Sequence, residues 1–92
     1  MKFSDLNFET KGVGLQARVN FPNGYGASVV IGLFSYGGSE GLYELGVMHN
    51  GELCYDTPIT SDVVGWLSPS EVTEYLQQIE ALPTAESGDA TV

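Results

Sequence analysis

Apolar and polar residues alternate strictly from Val13 to Phe21. Val13, Leu15, Ala17, Val19 and Phe21 fall on one side, and Gly14, Gln16, Arg18 and Asn20 on the other. A period of two is that of a strand with one buried and one wet face. Pro22-Asn23-Gly24 then signals a turn. The run Tyr25 to Phe34, β-branched from Val29 to Ile31, predicts a second strand and hence a hairpin. Gly32 marks either a bulge or a close backbone contact within it. A second hairpin is predicted over Leu42 to Thr57, closed by Asn50-Gly51, a pair that tolerates positive φ at both central positions. Its register sets His49 opposite Glu52 and Met48 opposite Leu53. One face then carries Tyr43, Leu45, Val47, His49, Glu52, Cys54 and Asp56. Both faces are apolar near the middle, which predicts a central hairpin.

The period changes after Ser68-Pro69-Ser70-Glu71. Ser68 is an N-cap, Pro69 occupies the first helical position and Glu71 completes a capping box. Val72, Tyr75, Leu76, Ile79 and Leu82 recur at helical spacing, predicting a helix from Pro69 to Leu82 that Pro83 stops. Phe3 to Thr10 reads as a short edge strand or an irregular arm. Ser61 to Leu67 reads as a short helical turn with Val63, Val64, Trp66 and Leu67 buried. Ser35 to Gly41 is a glycine- and serine-rich loop, and Thr84 to Val92 has too little to bury and reads as a disordered tail. The sum is an α+β fold: an antiparallel sheet of three to five strands built from two hairpins, with one C-terminal helix packed on a face. Residues 1–83 make a single domain.

Charge narrows the function classes. The 92 residues carry 12 acids against 3 basic residues, a formal net charge of -9. The cations are Lys2, Lys11 and Arg18, so everything after Arg18 carries acids alone. That distribution disfavours direct contact with a nucleic-acid backbone, which needs cations to displace counterions, and with an anionic membrane. It suits a basic protein partner. With Cys54 as the single cysteine, no intrachain disulfide forms, which fits a reducing compartment. No apolar run predicts a signal peptide or a membrane span.

Candidate chemistry is sparse. His49, Cys54 and Asp56 share a hairpin face and could form a thiol site, yet the register leaves His49 and Cys54 diagonal. Adding Glu52 to His49 and Cys54 still falls short of the four-ligand spacing of structural zinc. Glu44, Glu52, Asp56 and Asp62 read as a solvated acidic rim rather than a paired-carboxylate site. The Ser35–Gly41 loop lacks the lysine and following helix of a phosphate-binding loop. No catalytic residue, metal or cofactor is expected. Tyrosines beside acids and glycines are protein-binding material. The expected docking residues are Tyr36, Glu40, Tyr43, Glu44, Glu52 and Asp56, with Glu71, Glu74 and Glu80 on the helix as a second patch.

The runs NGYGASVV and YGGSEGLYELGVMHNGELCYDTPITSDVVGWLS, followed by a short acidic helix, resemble small acidic accessory proteins of tailed bacteriophages and prophages. The resemblance spans roughly Phe3 to Leu82 and brings no assigned activity or catalytic set. It implies expression in a bacterial host cytoplasm and a non-enzymatic role, such as binding a host protein in takeover or anti-defence. The alternatives are a virion or assembly component acting by self-association, and a small thiol or carboxylate enzyme using His49, Cys54 and Asp56.

Overall fold

The computed structural model describes residues 1–33, 35–54, 57, 59 and 63–83. The chain runs through a 3-10 turn (Phe3–Asp5), β1 (Glu9–Lys11), β2 (Gly14–Asn20), β3 (Tyr25–Ile31), a second 3-10 turn (Gly38–Glu40), β4 (Tyr43–His49), β5 (Glu52–Leu53), β6 (Val64–Leu67) and α1 (Pro69–Glu80). Strands β1 to β5 lie side by side in chain order, all antiparallel. The outer edge of β4 is shared: β5 pairs with its C-terminal end at Met48 and His49, and β6 with its N-terminal end at Tyr43 and Leu45. The architecture is the expected α+β one, with a multi-strand antiparallel sheet and the C-terminal helix against it.

Both hairpins close as their turns dictate. Asn50 and Gly51 adopt φ of 54° and 83°, and His49 stands opposite Glu52. In the first hairpin, the Phe21 amide donates to the Tyr25 carbonyl at 2.7 Å across the Pro22-Asn23-Gly24 loop. The register of β2, β3 and β4 aligns Ala17 with Val29 and Val29 with Leu45, and Val19 with Ala27 and Ala27 with Val47. These rows form the helix-facing side of the sheet. Ala17 and Ala27 are buried there, and their small side chains leave room for the helix.

The helix buries Val72, Leu76 and Ile79 against that surface. Burying each such side chain fully is worth ~1.5–3 kcal/mol. Both helix ends are tied down. At the N-terminus the Ser68 hydroxyl accepts from the Glu71 amide at 3.3 Å, and the Glu71 carboxylate accepts from the Ser68 amide at 2.9 Å. In the first half, the Thr73 hydroxyl accepts from the Phe3 amide at 2.8 Å. At the C-terminus the Asn23 carboxamide donates to the carbonyls of Ile79 (2.9 Å), Leu82 (3.0 Å) and Glu80 (3.3 Å). Its oxygen accepts from the Tyr25 amide at 3.0 Å. One side chain therefore closes a hairpin loop and caps a helix that lacks a basic residue in its last turn.

Some details differ from expectation. The sheet has six strands because Val64 to Leu67 is extended, not helical. A run of four mostly apolar residues carries no period to separate the two states, and the open edge of β4 decides in favour of the strand. Of the residues expected buried there, Leu67 is, whereas Trp66 is 58% exposed. The helix ends at Glu80 rather than Leu82. Strand β3 ends at Ile31, and Gly32 marks a close approach, since a Cβ on it would lie 3.2 Å from the Gly14 Cα. Val13 and Leu15 belong to the apolar side but are exposed, because the helix lies over β3, β4 and β6 and leaves that end of β2 uncovered. The expected tail at 84–92 lies outside the described residues. Among the described residues, no helix is long and apolar enough to cross a membrane.

The Asn23 bridge makes a direct prediction. Asn23→Ala should lower the unfolding free energy by ~1 kcal/mol, because the partly buried carbonyls at the helix terminus lose their donor. Asn23→Asp should cost at least as much, since a carboxylate has no hydrogen to donate and adds negative charge at the negative end of the helix dipole. Urea denaturation of both variants measures this. A loss below ~0.5 kcal/mol in each, the level of an ordinary surface change, would show that the bridge is incidental.

Candidate protein-docking surface

Adjacent residues of a strand face opposite sides, so the sheet sorts the predicted docking residues. Tyr43 lies on the helix-facing side. Its ring centroid is 4.9 Å from Phe3 and 5.7 Å from Phe8, and the three rings form a half-buried cluster beside the first 3-10 turn. Tyr43 is thus held within an aromatic cluster, apart from Tyr36 and Glu44. Glu44 points to the opposite, helix-free side, where its carboxylate accepts from the Tyr36 amide at 3.0 Å. Glu40 is exposed at the end of the Gly38–Glu40 turn. Glu52 is exposed beside the Asn50-Gly51 turn, in register with His49. Asp56 lies outside the described residues, as do Tyr55 and Asp62.

The helix acids do different jobs. Glu71 is the capping-box carboxylate. The bond from the Ser68 amide, reinforced by the Ser68 hydroxyl, holds its pKa below the ordinary value. Glu80 forms an ion pair with the Met1 amino group. Glu74 is exposed on the outer face, near Tyr75 and Gln78. The eight described residues of the two expected patches are therefore dispersed more widely than two patches. Tyr36 and Glu44 are brought into contact, with Glu40 on the same loop; Glu52 sits at a hairpin tip; Glu71 and Glu74 lie on the far side of the helix.

Sequence inspection missed Trp66, which completes the Tyr36–Glu44 corner. The Trp66 amide donates to the Tyr36 carbonyl at 3.1 Å, so the loop after β3 runs along β6. Two glycines permit this approach. Gly37 takes φ of 89°, and a Cβ on it would stand 2.9 Å from the Trp66 Cα. Gly65 lies under Tyr36, where any Cβ would collide with the Tyr36 Cβ. Tyr36 is 62% exposed, and it and Trp66 are the exposed aromatic side chains among the described residues. Trp66 itself has φ of 61°, a left-handed conformation that bulky residues rarely adopt. It stands where the pairing of β4 and β6 shifts register between Tyr43 and Leu45.

Of the expected thiol constellation, Asp56 lies outside the described residues, and His49 and Cys54 have different neighbours. The His49 ring packs against Tyr25 of the neighbouring strand, with centroids 5.3 Å apart. Cys54 lies beyond β4 on the other side, half-buried against the core, with its amide bonded to the Val47 carbonyl at 2.7 Å. Among the described residues, no three His, Cys, Asp or Glu side chains come together as a metal site. No family model, curated protein or solved structure matches the chain.

The capping carboxylate gives a pH dependence with a definite sign. A folded pKa below the unfolded one contributes stability that is present above the unfolded pKa and lost as pH falls through the folded one. Glu71 should titrate below the ordinary glutamate range in a carboxylate-detected NMR titration, and Glu71→Gln should flatten part of the acid-side loss of stability. A Glu71 midpoint at the ordinary glutamate value would contradict the cap.

Proposed function

We propose that the protein is a non-enzymatic accessory protein that acts by docking onto a basic protein. The observation that supports this most is the corner where the backbone of exposed Tyr36 bonds both the carboxylate of Glu44 and the amide of exposed Trp66. Aromatic side chains in exposed positions are the anchors from which protein interfaces are built. The acidic field of the chain, net -9, draws a cationic surface toward them. Glu40 and Glu44 supply charge at the anchor itself, and the remaining acids supply steering. The resemblance to bacteriophage and prophage accessory proteins supports a host protein as the partner and the host bacterial cytoplasm as the setting. A nucleic-acid-binding or defence protein fits best, because its phosphate-binding surface already presents Lys and Arg. An acidic protein bound there competes with nucleic acid for that surface.

Capture from nuclease-treated bacterial lysate tests the reading. The protein should retain a basic host protein at low salt and release it as salt screens the field. Glu40→Gln with Glu44→Gln should weaken the capture, while Glu71→Gln with Glu74→Gln on the far side of the helix should change it little. Retention that is independent of salt, or lost equally in both pairs, would refute docking at this corner.

A further inference from the structure

Resting on that docking reading, we propose that the Tyr36–Trp66 corner is an arginine-binding site: it takes an arginine side chain of the basic partner, its guanidinium stacked on the Trp66 indole and paired with the carboxylate of Glu44.

The residues present favour this group. Trp is the side chain whose face attracts a cation most strongly, and the attraction grows as water is excluded. Glu44 lies between Tyr43 and Leu45, the β4 residues that pair with Leu67 and Val64, and so stands across from the Gly65–Trp66 step, with its carboxylate fixed by the Tyr36 amide at 3.0 Å. That bond comes from a neutral donor, so it orients the carboxylate without cancelling its charge. Among the described residues Glu44 enters no ion pair, the one present joining Met1 and Glu80. A planar guanidinium satisfies both features at once, because it stacks on a ring and forks its N–H groups toward a carboxylate. An ammonium is a compact, strongly hydrated point charge that does neither as well.

The backbone prepares the ring for such a ligand. Leu67 is buried in the core on one side of Trp66, and Val64 pairs with Leu45 on the other. The Trp66 amide is bonded to the Tyr36 carbonyl, and Gly37 packs against its Cα. A residue whose backbone is held at φ of 61° by these contacts has little backbone freedom left to lose on binding. Strain held in place by its surroundings in this way is a recurrent property of ligand-clamping positions.

Trp66 is the single tryptophan of the chain, so its fluorescence reports this corner alone. The probes are capped hexa-arginine and hexa-lysine peptides of equal charge, titrated at low salt. Hexa-arginine should shift or quench the Trp66 emission and bind about tenfold more tightly than hexa-lysine, as a desolvated cation–π contact implies. Glu44→Gln keeps an acceptor for the Tyr36 amide and removes only the charge, so it should weaken hexa-arginine binding without loosening the loop. Trp66→Leu, followed by calorimetry, should bring the two peptides to equal affinity; circular dichroism checks that each variant is folded. Equal affinities for the parent protein, or hexa-arginine binding that leaves Trp66 emission unchanged, would overturn the arginine assignment. Lysate capture separates the two levels. Capture that needs Glu40 and Glu44 but survives Trp66→Leu would uphold docking and overturn the arginine site. Arginine-selective binding at Trp66 without lysate capture would uphold the site and remove the host-protein reading.

Discussion

The fold depends on how a small sheet holds its one helix. Val72, Leu76 and Ile79 supply the apolar contact, but a hydrophobic stripe alone does not fix where a 12-residue helix stops. Asn23 does. Its carboxamide reaches from the β2–β3 loop to the last carbonyls of the helix, while its own oxygen holds the loop through the Tyr25 amide. Helix and hairpin therefore share one polar device, supported at the other end by the capping box at Ser68 and Glu71. Unpaired carbonyls at a partly buried helix end are costly, so Asn23 converts a general attraction into one defined docking position.

That docking position governs the candidate surface. Since the helix covers one side of the sheet, Glu44 and the loop around Tyr36 are left on the other. Leu67 links the two sides: it is pinned under the helix, and it leads directly into Ser68, the helix cap. Anchoring Leu67 leaves Trp66 outside, and the shifted register of β6 on β4 accommodates its left-handed backbone. The exposed aromatic corner is thus a consequence of how β6 connects the sheet to the helix. Its two glycines, Gly37 and Gly65, are the steric condition for the loop to lie beside it.

Much of the frame is legible in the residues. Strict alternation reports β2, β-branching reports β3, Asn50-Gly51 reports the central turn, and Ser68-Pro69-Ser70-Glu71 reports the helix start. These signals are local, and the structure realises them locally. What lies beyond them is long-range. Asn23 reads as a turn residue, and nothing nearby in sequence reveals that it meets carbonyls 56 or more positions away. Val64 to Leu67 is too short and too uniformly apolar to show a period, and its extended state comes from the unpaired edge of β4. A tryptophan at positive φ has no sequence signature at all, so Trp66 was expected in the core. Tyr43 and Glu44 are neighbours in the chain, yet the strand sends them to opposite sides. Charge and aromatic content pointed to a surface without showing which residues share it.

Native-state hydrogen exchange tests most directly whether the helix is an integral part of the sheet's cooperative unit. If Asn23 and the capping box fix it at both ends, the amides of Leu76 and Ile79 can open only when the sheet does. The account predicts that they exchange with the same opening free energy as the most protected amides of β3 and β4. Helix amides that open at a free energy lower by more than ~1.4 kcal/mol, a tenfold larger open population, while β3 and β4 stay protected would contradict it.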